Sequence, residues 1–435
     1  MSLVVALLSS ENGAQVVWSN NGPDIGFSLL EGVKVLSLGA FVAGNVCPLI
    51  LAELGADVVK VESRRRPESL RQYYSPDHGE VFEPSGVQTT ALFSCITRSM
   101  RSACIEVETA EGKELLQTLV AGSDIVIENL GPGVIDRWDC AYPTLSSRNP
   151  RLVMVSISGY GRTGARSGYR AYASNIANYL GLTSVWAHDG THFDFVAAYH
   201  GAYAGLAAWG RAKKTGRGAY VDVSQMDSGA ALMAPLYLDF LVNGRPWAYE
   251  PNEVPGSLLS AVVACAGIDS WAAIELEDLD DWRTLCDVLQ RSDLTASTES
   301  EARCSRTELR AALENWTGAL TPYQVSLRLQ AVGIAAAPVQ DSEDLWRDPQ
   351  LRARGGFLDV DHPDLGVIEH PQSPDRMSVT PGRVTGRARR LGEDTRGVLA
   401  DWLRLDNERV SLLQRQGIVW QVSDDEPSVP SSRPG

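Results

Sequence analysis

The 435-residue chain lacks several patterns that mark common classes of protein. No run of about 18 apolar residues occurs, so no membrane span is expected. The seven cysteines form no CxxC pair and their number is odd, which favours reduced thiols in the cytoplasm over a disulfide framework or a zinc site. The six scattered histidines form no HExxH-like cluster, so no bound metal is predicted.

The balance of charge is acidic. A net charge of −15 argues against nucleic acid as a partner, because a phosphate backbone calls for a basic surface. The net charge does not exclude an anionic small molecule as a ligand, since binding depends on the charge near the site. Arginines are concentrated at 64–66 and 71, and again at 98 and 101, so these are the candidate anion-binding spots.

The two ends of the chain differ from its middle. The start, MSLVVALLSS, is apolar but has no basic segment before it, so a leader strand or extension is expected rather than a signal peptide. Residues 421–435 are acidic and then rich in serine and proline, which predicts a disordered tail.

The pattern of apolar residues predicts repeated βαβ units. Residues 33–39 have the pattern of a buried strand, 41–54 that of a helix, and the segment DVVKVES that of a second strand. Asp124 to Leu130 and the segment VMVSISGYG form another such pair. The strand–helix turns lack GxGxxG, so a nucleotide cofactor of the NAD type is not supported. Glycines at the strand ends allow a backbone to approach a ligand closely.

Helices are also indicated further along the chain. Residues 109–122 form an amphipathic pattern, and the small residues of 199–209 suit a closely packed helix. Residues 226–243 are also predicted to be helical, with Asn243-Gly244 as the end.

Six segments occur in an order that is typical of one family. They are GVKVLSLGAFVAGNVCPLILAELGADVVKVES, IENLGPGVIDRW, NPRLVMVSISGYGRTG, KKTGRGAYVDVSQ, AAAPVQDSEDLWRDPQLRARG and LGEDTRGVLADWL. In this order they resemble the family III CoA-transferases, whose fold also serves the 2-methylacyl-CoA racemases. The resemblance spans roughly Gly32 to Val419.

The resemblance adds a domain plan to the βαβ pattern. The expected fold class is α/β, with a Rossmann-like large domain over 30–225 that is completed by 385–420. A smaller α+β domain with its linkers is expected over 226–384. The family fold is an interlocked dimer in which each chain threads the other, so the resemblance implies a homodimer or a heteromer with a related subunit.

The resemblance also implies a catalytic aspartate. In the family one carboxylate attacks the donor thioester, forms an acyl anhydride, and then carries CoA as an enzyme thioester. That aspartate commonly stands in an Asp-Gly-Pro-Pro context, and Asp189-Gly190 is the matching pair here, one residue early and followed by Thr191-His192. Asp189 is the predicted nucleophile. Two alternatives stay open: Asp189-Gly190 is only a turn, or Asp194, at the start of the small-residue helix, is the nucleophile.

Racemisation is disfavoured by two positions. The racemases of this fold need an acid and a base on opposite faces of the α-carbon. The matching positions hold Arg162 and Ala173, and neither side chain exchanges protons at neutral pH.

The CoA-binding positions of the family map onto both loops and strands. They correspond to Val42 and Ala43 in the first turn, Arg64 after the second strand, and Arg101. Arg64–Arg66 stand one residue later than the family's arginine, and a solvated charged loop is the alternative reading. For Arg101 the alternative is a surface salt bridge.

Two further residues complete the set of candidate CoA contacts. Arg71 belongs to the same basic spot as Arg64, and Tyr160 stands at a strand end, where it lines an acyl pocket or is a packed aromatic.

The sequence therefore predicts a CoA-transferase that moves CoA between an acyl-CoA and a free carboxylic acid. CoA enters as a substrate, and no permanently bound cofactor is expected. Two alternatives are a non-catalytic subunit of a heteromeric transferase and a 2-methylacyl-CoA racemase.

Overall fold

A computed structural model describes residues 28–71, 90–183, 191–246, 252, 254, 256–362 and 366–422. They divide into two compact units. The larger holds the described residues of 28–183, 191–244 and 353–422, and the smaller those of 245–352. The predicted leader, Asp189 and the tail from residue 423 lie outside the described residues.

The described strands form three sheets. They are β1 (Lys34–Ser37), β2 (Asp57–Glu62), β3 (Arg101–Ile105), β4 (Ile125–Glu128), β5 (Val153–Ser158), β6 (Ala219–Ser224), β7 (Leu259–Ala264), β8 (Trp271–Leu276), β9 (Ala335–Val339), β10 (Phe357–His362), β11 (Gly366–Pro371) and β12 (Val419–Trp420).

Helices separate most of these strands. They are α1 (Phe41–Glu53), α2 (Ala91–Thr97), α3 (Ala110–Ala121), α4 (Val134–Arg137), α5 (Tyr142–Arg148), α6 (Ala173–Tyr179), α7 (His192–Thr215), α8 (Gln225–Leu232), α9 (Ala234–Asn243), α10 (Leu279–Leu289), α11 (Glu299–Cys304), α12 (Arg306–Thr317), α13 (Pro322–Gln330), α14 (Ser342–Arg347), α15 (Pro349–Ala353), α16 (Thr395–Leu403) and α17 (Asn407–Arg415). Among the described helices, none is long and apolar enough to cross a membrane.

A mostly parallel sheet forms the centre of the larger unit. Its strand order is β12-β3-β2-β1-β4-β5-β6, and only β12 pairs antiparallel, with β3. Leu36 of β1 therefore pairs with Val59 on one side and Val126 on the other. Since the chain leaves β1 in one direction and later returns on its other side, the carboxyl ends of β1 and β4 form the topological switch point, where open α/β sheets bind ligands.

Helices cover both faces of this sheet. On one face α1 and α7 contribute Cys47 and Ala198 to a buried cluster, and on the other α3 and α16 contribute Leu116 and Leu399. A Cβ on Gly201 of α7 would lie 3.2 Å from the Cys47 sulfur. The predicted close-packed helix is confirmed, and it runs from His192 to Thr215. Its small residues allow α1 and the sheet to approach it closely.

The prediction that residues 226–243 are helical and end at Asn243-Gly244 is confirmed. The segment forms two helices, α8 and α9, which separate at Met233. Pro235 is the second residue of α9, and its ring prevents the first helix from continuing, because proline lacks an N–H and clashes with the carbonyl of the preceding turn.

The smaller unit contains a three-stranded antiparallel sheet in the order β7-β8-β9. Trp282 of α10 is fully buried there, and its indole N–H donates to the Leu294 carbonyl at 2.9 Å. The strands β10 and β11 form a separate antiparallel pair in the larger unit. The predicted α/β class is thus confirmed as a large, mainly parallel sheet with small antiparallel sheets.

The compact units differ from the predicted domains at two places. Residues 226–244 and 353–384, predicted for the smaller domain, group with the larger unit in this chain. The predicted domain boundaries stay a prediction for the assembled protein.

A buried ion pair fixes the turn between β1 and α1. The Lys60 ammonium lies 2.6 Å from the Glu68 carboxylate, and both side chains are under 5% exposed. Lys60 also donates to the Gly39 carbonyl at 2.6 Å and to the Asn45 amide oxygen at 2.8 Å. Glu68 in turn accepts from the Phe41 backbone N–H at 2.6 Å. Buried charges are tolerated only when they are paired and hydrogen-bonded in this way.

Removing one partner of this pair should therefore be costly. We expect Lys60→Met to lower the free energy of unfolding by about 3–5 kcal/mol, because it leaves the Glu68 charge buried without a counter-ion. The double variant Lys60→Met/Glu68→Gln should recover a large part of that loss. Chemical denaturation measures both, and a loss of under about 1 kcal/mol for the single variant contradicts this account.

Candidate active site

An open cavity of about 1070 Å³ lies at the switch point of the large sheet. The chain segments that follow β1, β4 and β5 build its wall, together with the first turns of α6, α7 and α8. All of these segments belong to the larger unit. The cavity therefore occupies the position where a parallel sheet gathers the ends of several strands around one ligand.

Asn129 couples the two strand ends beside the switch point. Its amide oxygen accepts from the Ala40 N–H at 2.8 Å, and its amide nitrogen donates to the Ala40 carbonyl at 2.7 Å. A Cβ at Gly44 would lie 2.5 Å from the Asn129 amide oxygen, so only glycine leaves room for this clamp. The clamp holds the β1–α1 turn at the cavity wall.

Phe41 begins α1 in a strained conformation. Its φ of 55° lies in the left-handed region, which is uncommon for a residue with a bulky side chain. The hydrogen bond from its N–H to Glu68 holds it there. Its ring packs edge-on against Tyr172, with centroids 5.3 Å apart, and both rings line the cavity. Such strain is often found at ligand sites, where surrounding contacts over-determine the backbone.

Among the described residues that line the cavity, Asp194 is the one with a carboxylate. It lies in the first turn of α7, where the helix dipole favours negative charge. Burial raises the pKa of Asp194 from its ordinary value of 3.8 to about 6, although a hydrogen bond donated by the Gln225 amide acts in the opposite direction. The carboxyl is thus mainly ionised at neutral pH yet poorly solvated, which is the state of a reactive oxygen nucleophile.

Two polar atoms of residues that line the cavity have no hydrogen-bond partner among the described residues. The Ser158 hydroxyl and the Gln225 amide oxygen are both buried and make no hydrogen bond with the described part of the chain. Both residues line the cavity. A hydroxyl can donate to a developing oxyanion and an amide oxygen can accept from an N–H, so these two atoms offer opposite kinds of contact to a ligand.

Arg162 lines the cavity but its charge is neutralised. Its guanidinium lies 2.7 and 2.8 Å from the two carboxylate oxygens of Glu128, which is almost completely buried. It also donates to the Ser156 hydroxyl at 2.7 Å. The ion pair makes Arg162 a structural brace between the ends of β4 and β5.

Arg170 also lines the cavity, and its side chain is exposed. Across the described residues its guanidinium makes no hydrogen bond or ion pair. The nearby Arg166 instead lies over the Tyr179 ring, at 4.9 Å from the centroid. The cavity therefore contains one guanidinium whose charge is not balanced by a described residue.

The predicted contacts for CoA fall into separate places. Val42 lines the cavity and Ala43 is buried behind it. Arg64 is exposed at the end of β2 and lies over the Trp420 ring at 4.9 Å. Tyr160 packs edge-on against Tyr169 and Tyr179, with centroids 6.1 and 5.9 Å apart.

The other two predicted arginines are engaged in ion pairs. Arg71 is buried and donates to both carboxylate oxygens of Glu62, at 2.8 and 2.6 Å. Arg101 begins β3 and so lies at the amino ends of the parallel strands, whereas the cavity lies at their carboxyl ends. Its guanidinium pairs with Asp57 and Asp401 at 2.7 and 2.8 Å. Their roles in binding CoA stay predictions, and each would require these carboxylates to be exchanged for phosphate.

The predicted nucleophile, Asp189, lies outside the described residues, so its role stays a prediction. The open alternative, Asp194, is on the cavity wall. The sequence-based prediction missed Asn129, Arg170 and Gln225. Asn129 and Gln225 had a usable signal, since each is a polar side chain directly after a strand of the parallel sheet.

The fold and the cavity define an α/β protein with an open cavity at the switch point of a mainly parallel sheet. A sequence profile described as CoA-transferase family III matches residues 30–395. The structure also resembles a crystal structure of a CaiB/BaiF family protein from Brucella suis, with a TM-score of 0.78 and 26% identity over 86% of this chain and 99% of that one. The chain belongs to CoA-transferase family III.

Several relatives of this chain are named as CoA-transferases. A probable CoA-transferase of Mycobacterium tuberculosis is 32% identical over 87% of this chain, which spans half the length of that relative. The succinyl-CoA–D-citramalate CoA-transferase of Chloroflexus aurantiacus is 27% identical over 90% of this chain and 98% of its own length. The alpha and beta subunits of succinyl-CoA–L-malate CoA-transferase from the same organism are each 27% identical to this chain.

The burial of Asp194 predicts a pH-dependent stability effect. Because its pKa is raised in the folded state, the folded chain holds this proton more tightly, and stability falls as pH rises from about 4 to 6. We expect Asp194→Asn to be more stable than wild type by about 1–3 kcal/mol at pH 7.5, and by much less at pH 4.5.

Urea unfolding at the two pH values measures this difference. Asp227→Asn serves as the control, because Asp227 is an exposed carboxylate in the first turn of the neighbouring helix α8. An Asp194→Asn advantage that is equal at both pH values contradicts the raised pKa.

Proposed function

We propose that this chain transfers CoA from an acyl-CoA thioester to a free carboxylic acid, with Asp194 as the carboxylate that carries the group. The observation that supports this most directly is the Asp194 carboxyl itself, ionised, poorly solvated and held by Gln225 in the switch-point cavity. Membership of family III supports CoA as the group transferred.

The proposed steps conserve atoms and charge. An Asp194 oxygen attacks the thioester carbonyl, the carbon–sulfur bond breaks, and a mixed anhydride and CoA thiolate result. The thiolate then attacks the aspartyl carbonyl, which releases the donor acid and leaves an aspartyl-CoA thioester. The acceptor carboxylate repeats the two steps in reverse order, which forms the new acyl-CoA and restores the Asp194 carboxylate.

The surroundings of Asp194 support this chemistry. Each attack creates an oxyanion, and the unpartnered Ser158 hydroxyl is a donor inside the same cavity. Gln225 donates to one carboxylate oxygen and so fixes the direction of the other. Since both reacting acids are carboxylates, no net proton transfer is needed.

Racemisation receives no comparable support. Arg162 is held by Glu128, and Ala173 carries no ionisable group, so the two positions do not supply an acid and a base.

A role as one subunit of a heteromer is favoured by a specific observation. Two relatives are named as alpha and beta subunits, and another is twice the length that this chain spans. This alternative predicts that the chain needs a related partner for turnover, and covalent labelling of the purified chain separates the two cases.

The nucleophile can be identified by trapping. We expect hydroxylamine, added with succinyl-CoA, to convert Asp194 of the purified chain to a hydroxamate, because an aspartyl thioester is open to attack by an amine. Asp194→Ala should abolish the adduct and lower turnover at least about 1000-fold. Peptide mass spectrometry and a CoA-exchange assay provide the two measurements.

Asp189→Asn is the matched comparison in this experiment. It should retain turnover within about threefold and still be labelled at Asp194. Loss of the adduct in Asp189→Asn, with labelling intact in Asp194→Ala, would transfer the role to Asp189. A wild-type chain that is labelled only after a related subunit is added would support the heteromer.

The oligomeric state is a separate part of the proposal. None of the residues of α9 is buried, although its sequence, APLYLDFLVN, is mostly apolar. Leu241 and Val242 are 75% and 78% exposed. An apolar helix of this kind is costly to leave in water, and we propose that a second copy of the chain covers it in an interlocked dimer.

Charge on this helix should prevent assembly. We expect wild type to be a dimer and Leu241→Lys/Val242→Lys to be monomeric or aggregated, because the substitutions place two charges in the interface. Ile268→Lys is the control, since Ile268 is 97% exposed in the turn between β7 and β8. Light scattering after size exclusion gives the masses, and an unchanged dimer in the double variant would exclude α9 from the interface.

A further inference from the structure

The charges that line the cavity are few. Among the residues that the structure describes, they belong to Arg162, Arg170 and Asp194. Arg162 is neutralised by both oxygens of Glu128, and Asp194 is assigned to the reaction. Arg170 therefore carries a positive charge in the cavity that the described residues leave unbalanced.

Arg170 differs from the neighbouring arginine in its environment. Arg166 stacks on Tyr179 and does not line the cavity. The Arg170 guanidinium instead lies against the backbone turn after β4: a Cβ on Gly131 would be 3.5 Å from its Nε and 3.8 Å from its Cζ. This ordinary packing contact places a planar guanidinium at the wall, with hydrogen-bond donors still available.

We propose that Arg170 binds the second carboxylate of a dicarboxylic acyl group, so that this chain is a transferase for dicarboxylic acids. The inference rests on the proposed CoA transfer. A guanidinium donates two parallel hydrogen bonds to a carboxylate, and this geometry matches a planar acid group better than it matches any other part of an acyl chain.

The arrangement also explains how one end of a diacid is selected. The thioester end of the donor must approach Asp194, and the distal carboxylate of the same acyl group then brings a second negative charge into a poorly solvated cavity, where like charges repel each other. Pairing of the distal carboxylate with Arg170 offsets this repulsion and leaves the thioester end free to meet Asp194. A monocarboxylic acyl group lacks that contact and leaves Arg170 without a partner.

A phosphate of CoA is the competing anion for Arg170, and donor specificity separates the two. In the proposed scheme kcat/KM for the donor depends only on the steps before the acceptor binds. The probes are succinyl-CoA and butanoyl-CoA, which share the CoA moiety and a four-carbon acyl chain and differ in the distal carboxylate.

We expect Arg170→Met to lower kcat/KM for succinyl-CoA by about 10- to 100-fold, the range for losing a hydrogen-bonded charge pair. The value for butanoyl-CoA should stay within about threefold of wild type. Arg170→Lys should recover part of the loss for succinyl-CoA. Arg166→Met is the control and should change the ratio of the two esters by less than about threefold.

Equal losses for both esters would overturn the proposal, because they would assign Arg170 to the CoA moiety. No loss for either ester would also overturn it. If the wild-type chain turns over neither ester, the proposed transfer fails independently, and calorimetry then tests Arg170 with succinate and butanoate. Binding of succinate that Arg170→Met abolishes supports the carboxylate site, and binding that is absent or unchanged contradicts it.

Discussion

The buried pair of Lys60 and Glu68 is the interaction on which the site depends. Its two charges are nearly inaccessible to water, so each is tolerable only because the other lies 2.6 Å away and because Lys60 also donates to the Gly39 carbonyl and the Asn45 amide oxygen. Lys60 comes from β2, and Glu68 holds the backbone of Phe41 at the start of α1. The strained turn that forms one wall of the cavity is thus fixed by electrostatics, and the Asn129 clamp fixes it from the other side.

The cavity combines charges that are neutralised with charges that are kept available. Arg162 and Glu128 neutralise each other and brace two strand ends. Asp194 keeps a carboxylate whose pKa burial raises to about 6, and Arg170 keeps a guanidinium with no partner among the described residues. This separation suits the proposed transfer between carboxylic acids, which uses one carboxylate as the nucleophile and one guanidinium to bind a second negative charge, while any other unpaired charge would cost desolvation energy.

Stability and function oppose each other at this site. Burial of Asp194 penalises its charged form, and the positive φ of Phe41 costs backbone energy. Hydrophobic burial on both faces of the parallel sheet offsets these two unfavourable free energies. The buried clusters on the two faces include Cys47 and Leu116. The exposed apolar helix α9 adds a third cost, which assembly with a second chain would remove.

The sequence by itself determined the α/β class, the opening βαβ unit and the family, because alternating strands and helices leave periodic patterns and the six segments keep their order along the chain. It predicted Asp189 as the nucleophile and left Asp194 as an alternative, since Asp189-Gly190 stands one residue early and is followed by Thr191-His192 in place of Pro-Pro. Only the tertiary structure brought Asp194, Gln225 and Arg170 to one cavity, and only it paired Arg71 and Arg101 with carboxylates. The reason is physical: local patterns record which face of an element is buried, whereas the partner of a charge is decided by strands and helices that are far apart in the chain.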